Sequence, residues 1–245
     1  MDRRDVTAAA LVIGNEILSG QTRDANLAFI AERLAALGIR LREARVVADE
    51  TADIVAAVND LRRRFDYVFT TGGIGPTHDD ITSAAVAQAF GRPLVLHPEA
   101  HRILESYYQP GELNEARLRM AHAPEGAALV ENPISGAPGF QIENVFVLAG
   151  IPAVMQAMFE SLRHRLAGGA PLLSRTIVAE LPEGRMAAGL GAIQAANPEV
   201  EIGSYPFHKN GRYGARLVVR STDPERLARV GEDVAALVRE LSEGA

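Results

Sequence analysis

Between residues 7 and 90 the chain alternates three short strands with three amphipathic helical stretches, and that order leaves few ways to fold. Thr7 to Ile13 is an apolar strand, Ile39 to Ala48 is a second strand, and Tyr67 to Thr71 is a third, rich in β-branched and aromatic residues. Asp24 to Leu37 sets Leu27, Ile30, Ala31, Leu34 and Leu37 on one helical face and stops at Gly38. Thr51 to Arg64 repeats the pattern through Ile54, Val55, Val58 and Leu61, and Thr82 to Phe90 is a helix ended by Gly91. A βαβαβα order predicts an α/β domain whose mostly parallel sheet is covered on both faces.

The remainder divides at Ala167-Gly168-Gly169-Ala170-Pro171, a linker by composition. Before it lie a short strand at Leu94 to Leu96, helices from Pro98 to about Tyr108 and from Leu113 to Ala121, and a helix from Pro152 to Leu166. Phe140 to Ile142 and Val145 to Leu148 flank Glu143-Asn144 as a hairpin. Beyond the linker the pattern is strand (Leu173 to Glu180), helix (about Arg185 to Ala196), strands (Val200 to Tyr205 and Tyr213 to Arg220) and helix (Asp223 to Leu241). Residues 1–168 and 172–245 are therefore expected to be two domains, the second a small α+β unit of βαββα order.

The most chemical stretch is Thr70-Thr71-Gly72-Gly73-Ile74-Gly75-Pro76-Thr77-His78-Asp79-Asp80-Ile81-Thr82. Gly72, Gly73 and Gly75 let the chain turn with positive φ and bring backbone N–H groups close to a ligand. The helix that follows points its amino terminus, with its unpaired donors, at the same place, which favours an anion. Asp79 and Asp80 would repel a bare phosphate unless a divalent cation bridges the two, and the blander alternative is that either caps the helix, worth about 1 kcal/mol. Ligands of open α/β sheets bind beyond the carboxyl ends of strands. Gly14-Asn15-Glu16, Thr71 to Asp80 and Gly150-Ile151-Pro152 each follow a strand and are expected on one edge. Glu16 would join Asp79 and Asp80 in a carboxylate cluster, with Asn15, Ser19, Thr22 and Asn26 as neutral hydrogen-bonding groups. The loop Asn132 to Phe140, through Ser135, Gly136, Ala137, Pro138 and Gly139, could close over the ligand or be a plain connection.

Charge and composition remove several alternatives. The net charge is −6, with no basic run longer than Arg62-Arg63-Arg64, so nucleic acid is not an expected partner. Zero cysteines exclude disulfides, thiolate zinc sites and cysteine nucleophiles. The apolar stretch after the charged start is too short to span a bilayer, so no membrane role and a cytoplasmic location are expected. His97 and His101 have zinc-ligand spacing, but His97 precedes Pro98 at a helix entrance and no metalloprotease acid accompanies them. His78 could contact a phosphate, act in proton transfer or be a solvated loop residue. Phe207 to Gly214 reads as a polar hairpin tip, whose Lys209 and Arg212 are either solvated or able to reach a neighbouring subunit's ligand.

Gly14-Asn15-Glu16-Ile17-Leu18-Ser19-Gly20 with Asp24-Ala25-Asn26, the Thr71 to Thr82 run and the Asn132 to Phe140 loop resemble the molybdopterin-binding domain shared by MoaB, MogA and the amino-terminal part of CinA, the competence/damage-inducible protein. The resemblance covers residues 7 to about 166 and is strongest to the CinA type. It implies a three-layer α/β/α domain whose pocket takes a small phosphorylated ligand, a nucleotide or a pterin. Gly14, Asn15, Ser19, Asn26, Thr71, Gly72, Gly73, Gly75, Pro76, Thr77, Ser135, Gly136, Ala137, Pro138, Gly139 and Gly150 would be the ligand-binding positions. In CinA-like relatives the domain is associated with metal-dependent hydrolysis of dinucleotide pyrophosphates such as ADP-ribose or FAD. Asp80, Asp79 and Glu16 would then be catalytic and would hold magnesium, manganese or cobalt. In MoaB and MogA relatives it handles molybdopterin, with the position matching Asp80 serving adenylylation. A third alternative is a catalytically inert binding or regulatory protein. The resemblance also suggests a homo-oligomer.

Two departures from the CinA pattern stand out. Those relatives usually carry Pro-Gly-x-Pro-x-Glu where this sequence has Ala149-Gly150-Ile151-Pro152-Ala153-Val154, so an acid is missing. Neither a nicotinamide-mononucleotide deamidase domain nor an FAD-synthesising domain is expected within these 245 residues.

Overall fold

The computed structural model describes residues 6–209 and 212–243, and the chain divides into two compact units, Met1–Gly169 and Ala170–Ala245. In the first, β1 (Val6–Ile13) leads through the short helix α1 (Asn15–Leu18) to α2 (Asn26–Ala36), β2 (Ile39–Val47), α3 (Thr51–Arg64), β3 (Tyr67–Thr71) and α4 (Thr82–Ala89). An excursion follows: β4 (Leu94–Leu96), α5 (Pro98–Tyr107), α6 (Glu115–Leu118), a 3-10 turn at Arg119–Ala121 and β5 (His122–Pro124). β6 (Ala128–Val130), β7 (Gly139–Ile142), β8 (Val145–Leu148), α7 (Pro152–Leu162) and a 3-10 turn at Arg163–Arg165 return to the main body.

The sheet has six strands in the order β2-β1-β3-β8-β7-β6. β1 pairs in parallel with β2 and β3, and β3 with β8, whereas β7 is antiparallel to both β8 and β6. Strand alternation sends Ala9, Leu11 and Ile13 of β1 and Val68 of β3 to one face, where Ile54, Val58 and Leu61 of α3 and Val86 of α4 cover them. The opposite face presents Ala8, Phe69, Phe146 and Leu148 to Ile30 and Leu34 of α2 and Met155, Met158, Phe159 and Leu162 of α7. Phe69 and Phe146 stack at 5.2 Å, and Phe159 lies 5.4 Å from Phe69. All three are fully buried, each burial being worth about 1.5–3 kcal/mol. This is a three-layer α/β/α arrangement.

Polar locks hold the amino ends of the strands. Asp66 Oδ2 accepts from the Thr7 backbone N–H and hydroxyl at 2.8 and 2.9 Å, and Asn144 Nδ2 donates to the carbonyls of Arg62 and Phe65 at 2.9 Å each. The carboxyl ends are left open for loops.

Several boundaries differ from the sequence expectation, each for a local reason. The helix expected from Asp24 begins at Asn26, because the Asp24 carboxylate accepts from the Leu27 N–H at 2.8 Å as a cap. The helix expected over Leu113–Ala121 reduces to α6 and a 3-10 turn: Asn114 caps Arg117 N at 3.0 Å, and β5 must then run antiparallel to β4. α1, β5 and β6 are too short to announce themselves by periodicity. His97 turns out to cap α5, its Nδ1 accepting from Ala100 N, rather than to offer a metal-ligand pair with His101.

The second unit is β9 (Leu173–Ala179), α8 (Glu183–Ala196), β10 (Glu201–Lys209), β11 (Arg212–Ser221) and α9 (Pro224–Glu243). Its antiparallel sheet has the order β10-β11-β9, and its core joins Leu217 and Val219 of β11, Met186 of α8 and Val230 and Val234 of α9. Asp223 Oδ1 caps α9 by accepting from the N–H groups of Glu225 and Arg226 at 2.9 and 3.2 Å. Asn210, Gly211 and the side chains of Lys209 and Arg212, the tip of the expected hairpin, lie outside the described residues. Among the described residues no helix is long and apolar enough to cross a membrane.

Candidate functional site

The sheet order reverses at β1, with β2 on one side and β3 on the other, so the loops after β1 and β3 flank a crevice at the carboxyl edge. Gly72 makes their contact intimate. Its φ is +102°, and a Cβ there would stand 2.2 Å from the Ile13 carbonyl oxygen. Gly150, after β8, closes in from the other side, an added Cβ falling 3.2 Å from Gly72 Cα. Only glycines allow three strand ends to meet this closely.

The turn is then fastened to α4. Gly73, with φ +68°, accepts from the Thr82 N–H at 2.9 Å, and the fully buried Thr82 hydroxyl donates to the Gly72 carbonyl at 2.9 Å. The first N–H of α4 is therefore spent on the loop itself. No side chain caps α4, so the capping alternative for Asp79 and Asp80 falls away. Asp80 Oδ2 instead accepts from the Thr77 N–H at 2.8 Å and from the Thr77 hydroxyl, which rigidifies the turn. Hydrogen bonding from the Thr77 side chain, and then from its own backbone N–H, holds the Asp79 carboxyl below the usual carboxylate range.

Around this turn lies a cavity of about 520 Å³, a size that suits a small-molecule ligand. Glu16, Asp79, Asp80, Gly72, Gly73, Gly75, Pro76 and Gly150 line it, as do Ser135 and Ala137 from the loop before β7. The three loops expected on one edge do meet there. The compact carboxylate cluster does not form: among the described residues no three acids or histidines are near enough together to hold a metal ion. The reason is local, since Asp80 is turned onto Thr77 and the Glu16 carboxylate lies over Gly14, 2.5 Å from where a Cβ would be. In kind the donors fit a hard divalent cation; in number they leave positions for a ligand's own oxygens.

Other expected positions support the cavity from behind. Asn26, only 4% exposed, donates through Nδ2 to the Gly150 carbonyl at 2.8 Å, while its Oδ1 and the Thr71 hydroxyl are buried without a partner. Asn15 donates its backbone N–H to Asp49 at 2.8 Å, and the Ser19 hydroxyl donates to the Glu16 carbonyl at 3.2 Å. Gly136 has φ +71° under the Tyr107 ring, and a Cβ on Gly139 would strike the Val147 carbonyl at 2.2 Å, so both serve chain packing. Gly14, Asn15, Ser19, Thr77, Gly136, Pro138 and Gly139 are not among the residues lining this cavity.

The organiser of the Ser135 loop is Asn132. Its Oδ1 accepts from the N–H groups of Ile134 and Ser135 at 3.1 Å each, and its Nδ2 donates to Ser135 Oγ at 2.6 Å and the Ala137 carbonyl at 2.8 Å. Asp49, just beyond β2, and Met120 also line the cavity and were missed in the sequence. Asp49 carried a usable signal, an acid directly after a parallel strand. Val154 lines the wall where the CinA pattern expects an acid. A second cavity, of about 320 Å³, adjoins the first through Ile74, Gly75 and Asp80 and is lined on its far side by His78, Leu94, Arg119 and His122.

A family model described as "Probable molybdopterin binding domain" matches residues 9–168, more than half of the chain. The chain belongs to this family. A second model, "FAD synthase, middle domain", matches residues 171–243. A CinA-like protein of Desulfosudis oleivorans is 39% identical over 214 residues, covering 80% of this chain and 51% of the relative. Protein PH0439 of Pyrococcus horikoshii is 32% identical over 239 residues, covering 92% and 93%. The crystal structure of CinA from Thermoplasma acidophilum, of unknown function by its own description, has a TM-score of 0.62 at 32% identity, covering 65% of this chain and 96% of that one. The expected kinship with CinA-like molybdopterin-binding-domain proteins is thus borne out, and both matched domains suggest a small-molecule ligand.

Proposed function

We propose that this molybdopterin-binding-domain protein is a divalent-metal-dependent pyrophosphatase of nucleotide diphosphate compounds of the ADP-ribose or FAD type. The observation that carries it is the composition of one cavity: a left-handed glycine turn beside Glu16, Asp49, Asp79 and Asp80. The backbone N–H groups of a glycine turn suit phosphate oxygens, whereas so many carboxylates would repel them without a cation. Magnesium is commonly bound by one or two carboxylates together with substrate phosphates, so a site completed only with ligand accords with the dispersed acids here.

The chain's own residues divide the work. Gly73 and Gly75 seat the phosphoanhydride against backbone donors aimed at charge that develops on its oxygens, while the Gly72 N–H is spent on the Leu148 carbonyl at 3.2 Å. Thr77 fixes the Asp80 carboxylate, and Asp79 stays ionised into acid because its hydrogen bonds favour the charged form. Asn132 holds the Ser135–Ala137 wall against the ligand. A bound magnesium, manganese or cobalt ion would supply Lewis acidity and a more acidic bound water. The test is turnover of ADP-ribose and FAD with each metal, beside Asp80→Asn. Metal-dependent release of mononucleotides, lost in the variant, is expected; equal turnover by the variant would remove Asp80 from the chemistry.

Val154 favours a second reading, molybdopterin binding or adenylylation in molybdenum cofactor synthesis, because an apolar wall residue stands where the CinA pattern has an acid. Titration with molybdopterin decides it: saturable binding without dinucleotide hydrolysis supports this reading, and no binding removes it.

A further inference from the structure

The cavity beyond the glycine turn differs in chemistry from the one that holds the acids. Gly75 and Asp80 are walls of both, and the 3-10 turn at Arg119–Ala121 divides its residues between them, Met120 to the larger and Arg119 to the smaller. The larger side is rich in carboxylate; the far side of the smaller is basic and aromatic, with Arg119, His122 and His78. Arg119 has no carboxylate partner among the described residues, although most arginines of the α3 and α5 surfaces do. His122 Nδ1 lies 3.1 Å from the Leu118 carbonyl, an arrangement in which Nδ1 carries the hydrogen and Nε2 is left to accept from a hydroxyl or amine. An unpaired guanidinium and an imidazole lining one cavity are a recognition pair for a phosphorylated sugar or nucleoside.

We propose that the smaller cavity is a second subsite, in which Arg119 and His122 take the second phosphate-bearing arm of a bipartite ligand whose phosphoanhydride crosses the Gly75–Asp80 wall. Its dimensions agree: about 520 and 320 Å³ on either side of a shared wall accommodate two unequal halves of one molecule. A mononucleotide fills only one. The subsite makes the protein select compounds with a group on each side of the anhydride, and Arg119 is a specificity-determining residue that holds no part of the acidic wall. The inference rests on the nucleotide reading above.

The test is calorimetric binding, with magnesium present, of AMP and of ADP-ribose carrying a methylene bridge in place of the anhydride oxygen, to wild type, Arg119→Ala, Arg119→Lys and His122→Gln. Wild type is expected to bind the bridged compound at least about tenfold more tightly than AMP, and Arg119→Ala to lose about tenfold on the bridged compound alone, as for one charge-assisted contact at a half-open site. Arg119→Lys should restore part of that loss, and His122→Gln should weaken only the bridged compound. Arg119 is exposed, so the variants should keep wild-type thermal melting. Equal losses on both ligands, or none, overturn the subsite. Hydrolysis of ADP-ribose with unaltered KM in Arg119→Ala would overturn it while leaving the pyrophosphatase standing. An Arg119-dependent preference without hydrolysis would uphold it and remove the pyrophosphatase, and binding of neither ligand by wild type would remove both.

Discussion

Adding one methyl group at Gly72 should destabilise the amino-terminal unit by about 4 kcal/mol, a large part of the roughly 5–15 kcal/mol that holds a domain folded. Two costs combine. A φ of +102° is a sparsely populated conformation that costs a non-glycine residue about 1–3 kcal/mol. The new Cβ would also sit 2.2 Å from the Ile13 carbonyl oxygen, a backbone atom that cannot rotate away. β1 and β3, hydrogen-bonded neighbours, would have to part, and overpacking of this kind costs about 1–3 kcal/mol. Gly91→Ala is the control, because φ there is +60° but nothing lies within 4 Å, leaving only a backbone cost of about 1–2 kcal/mol. Urea titrations followed at the amides of β1 and β3 would resolve the two. With a slope of about 2 kcal/mol/M, Gly72→Ala should lower the midpoint by roughly 2 M and Gly91→Ala by about 0.5–1 M. Equal midpoints for the two variants would refute the steric argument for why glycine occupies the strand-end junction.

Further expectations follow from single contacts. Thr82→Val keeps the buried volume but leaves the Gly72 carbonyl without its 2.9 Å donor, and should cost about 1–2 kcal/mol in a thermal melt, with Thr82→Ser milder. Asn132→Ala removes the hydrogen bonds that shape the Ser135 loop, and should speed proteolytic cleavage beside the exposed Ile134 and raise KM more than it lowers kcat. Glu43 and Asp60 lie below their ordinary 4.5 and 3.8, first because Arg45 hydrogen-bonds each of them and then through Arg64. A carboxylate depressed by folding stabilises above its unfolded pKa and loses that contribution as pH falls through the folded value. Asp60→Asn should therefore lower Tm near neutral pH, with the difference from wild type shrinking below the unfolded value of 3.8 and vanishing in strong acid.

Much of the fold was legible because it rests on periodicity. The apolar alternation of residues 7 to 90 set three strands and three helices in place, and the Glu143-Asn144 turn announced the β7–β8 hairpin. The stripe of Leu227, Val230, Val234 and Val238 packs into the second core as a 3.6-residue period requires. Three-residue strands carry no such signal, and α6 lost its register to the pairing of β5 with β4. The glycine turn and its neighbouring loops were legible as a site because strand ends converge in an open α/β sheet. The relation among their acids was not, since the turn of Asp80 onto Thr77 is a side-chain contact that no spacing records. Asp49 reaches the site from the end of β2 and Arg119, Met120 and His122 from the turn that leads into β5, both far in sequence from the glycine turn, so no local motif contains them.

The most direct measurement is phosphorus NMR of ADP-ribose incubated with the purified protein and magnesium. A pyrophosphatase replaces the two coupled anhydride signals by two phosphomonoester signals, AMP and ribose 5-phosphate, at a rate that disappears with chelator and with Asp80→Asn. Anhydride signals that persist unchanged with magnesium, manganese and cobalt, for a protein that remains folded, would contradict the assignment of hydrolysis to this cavity.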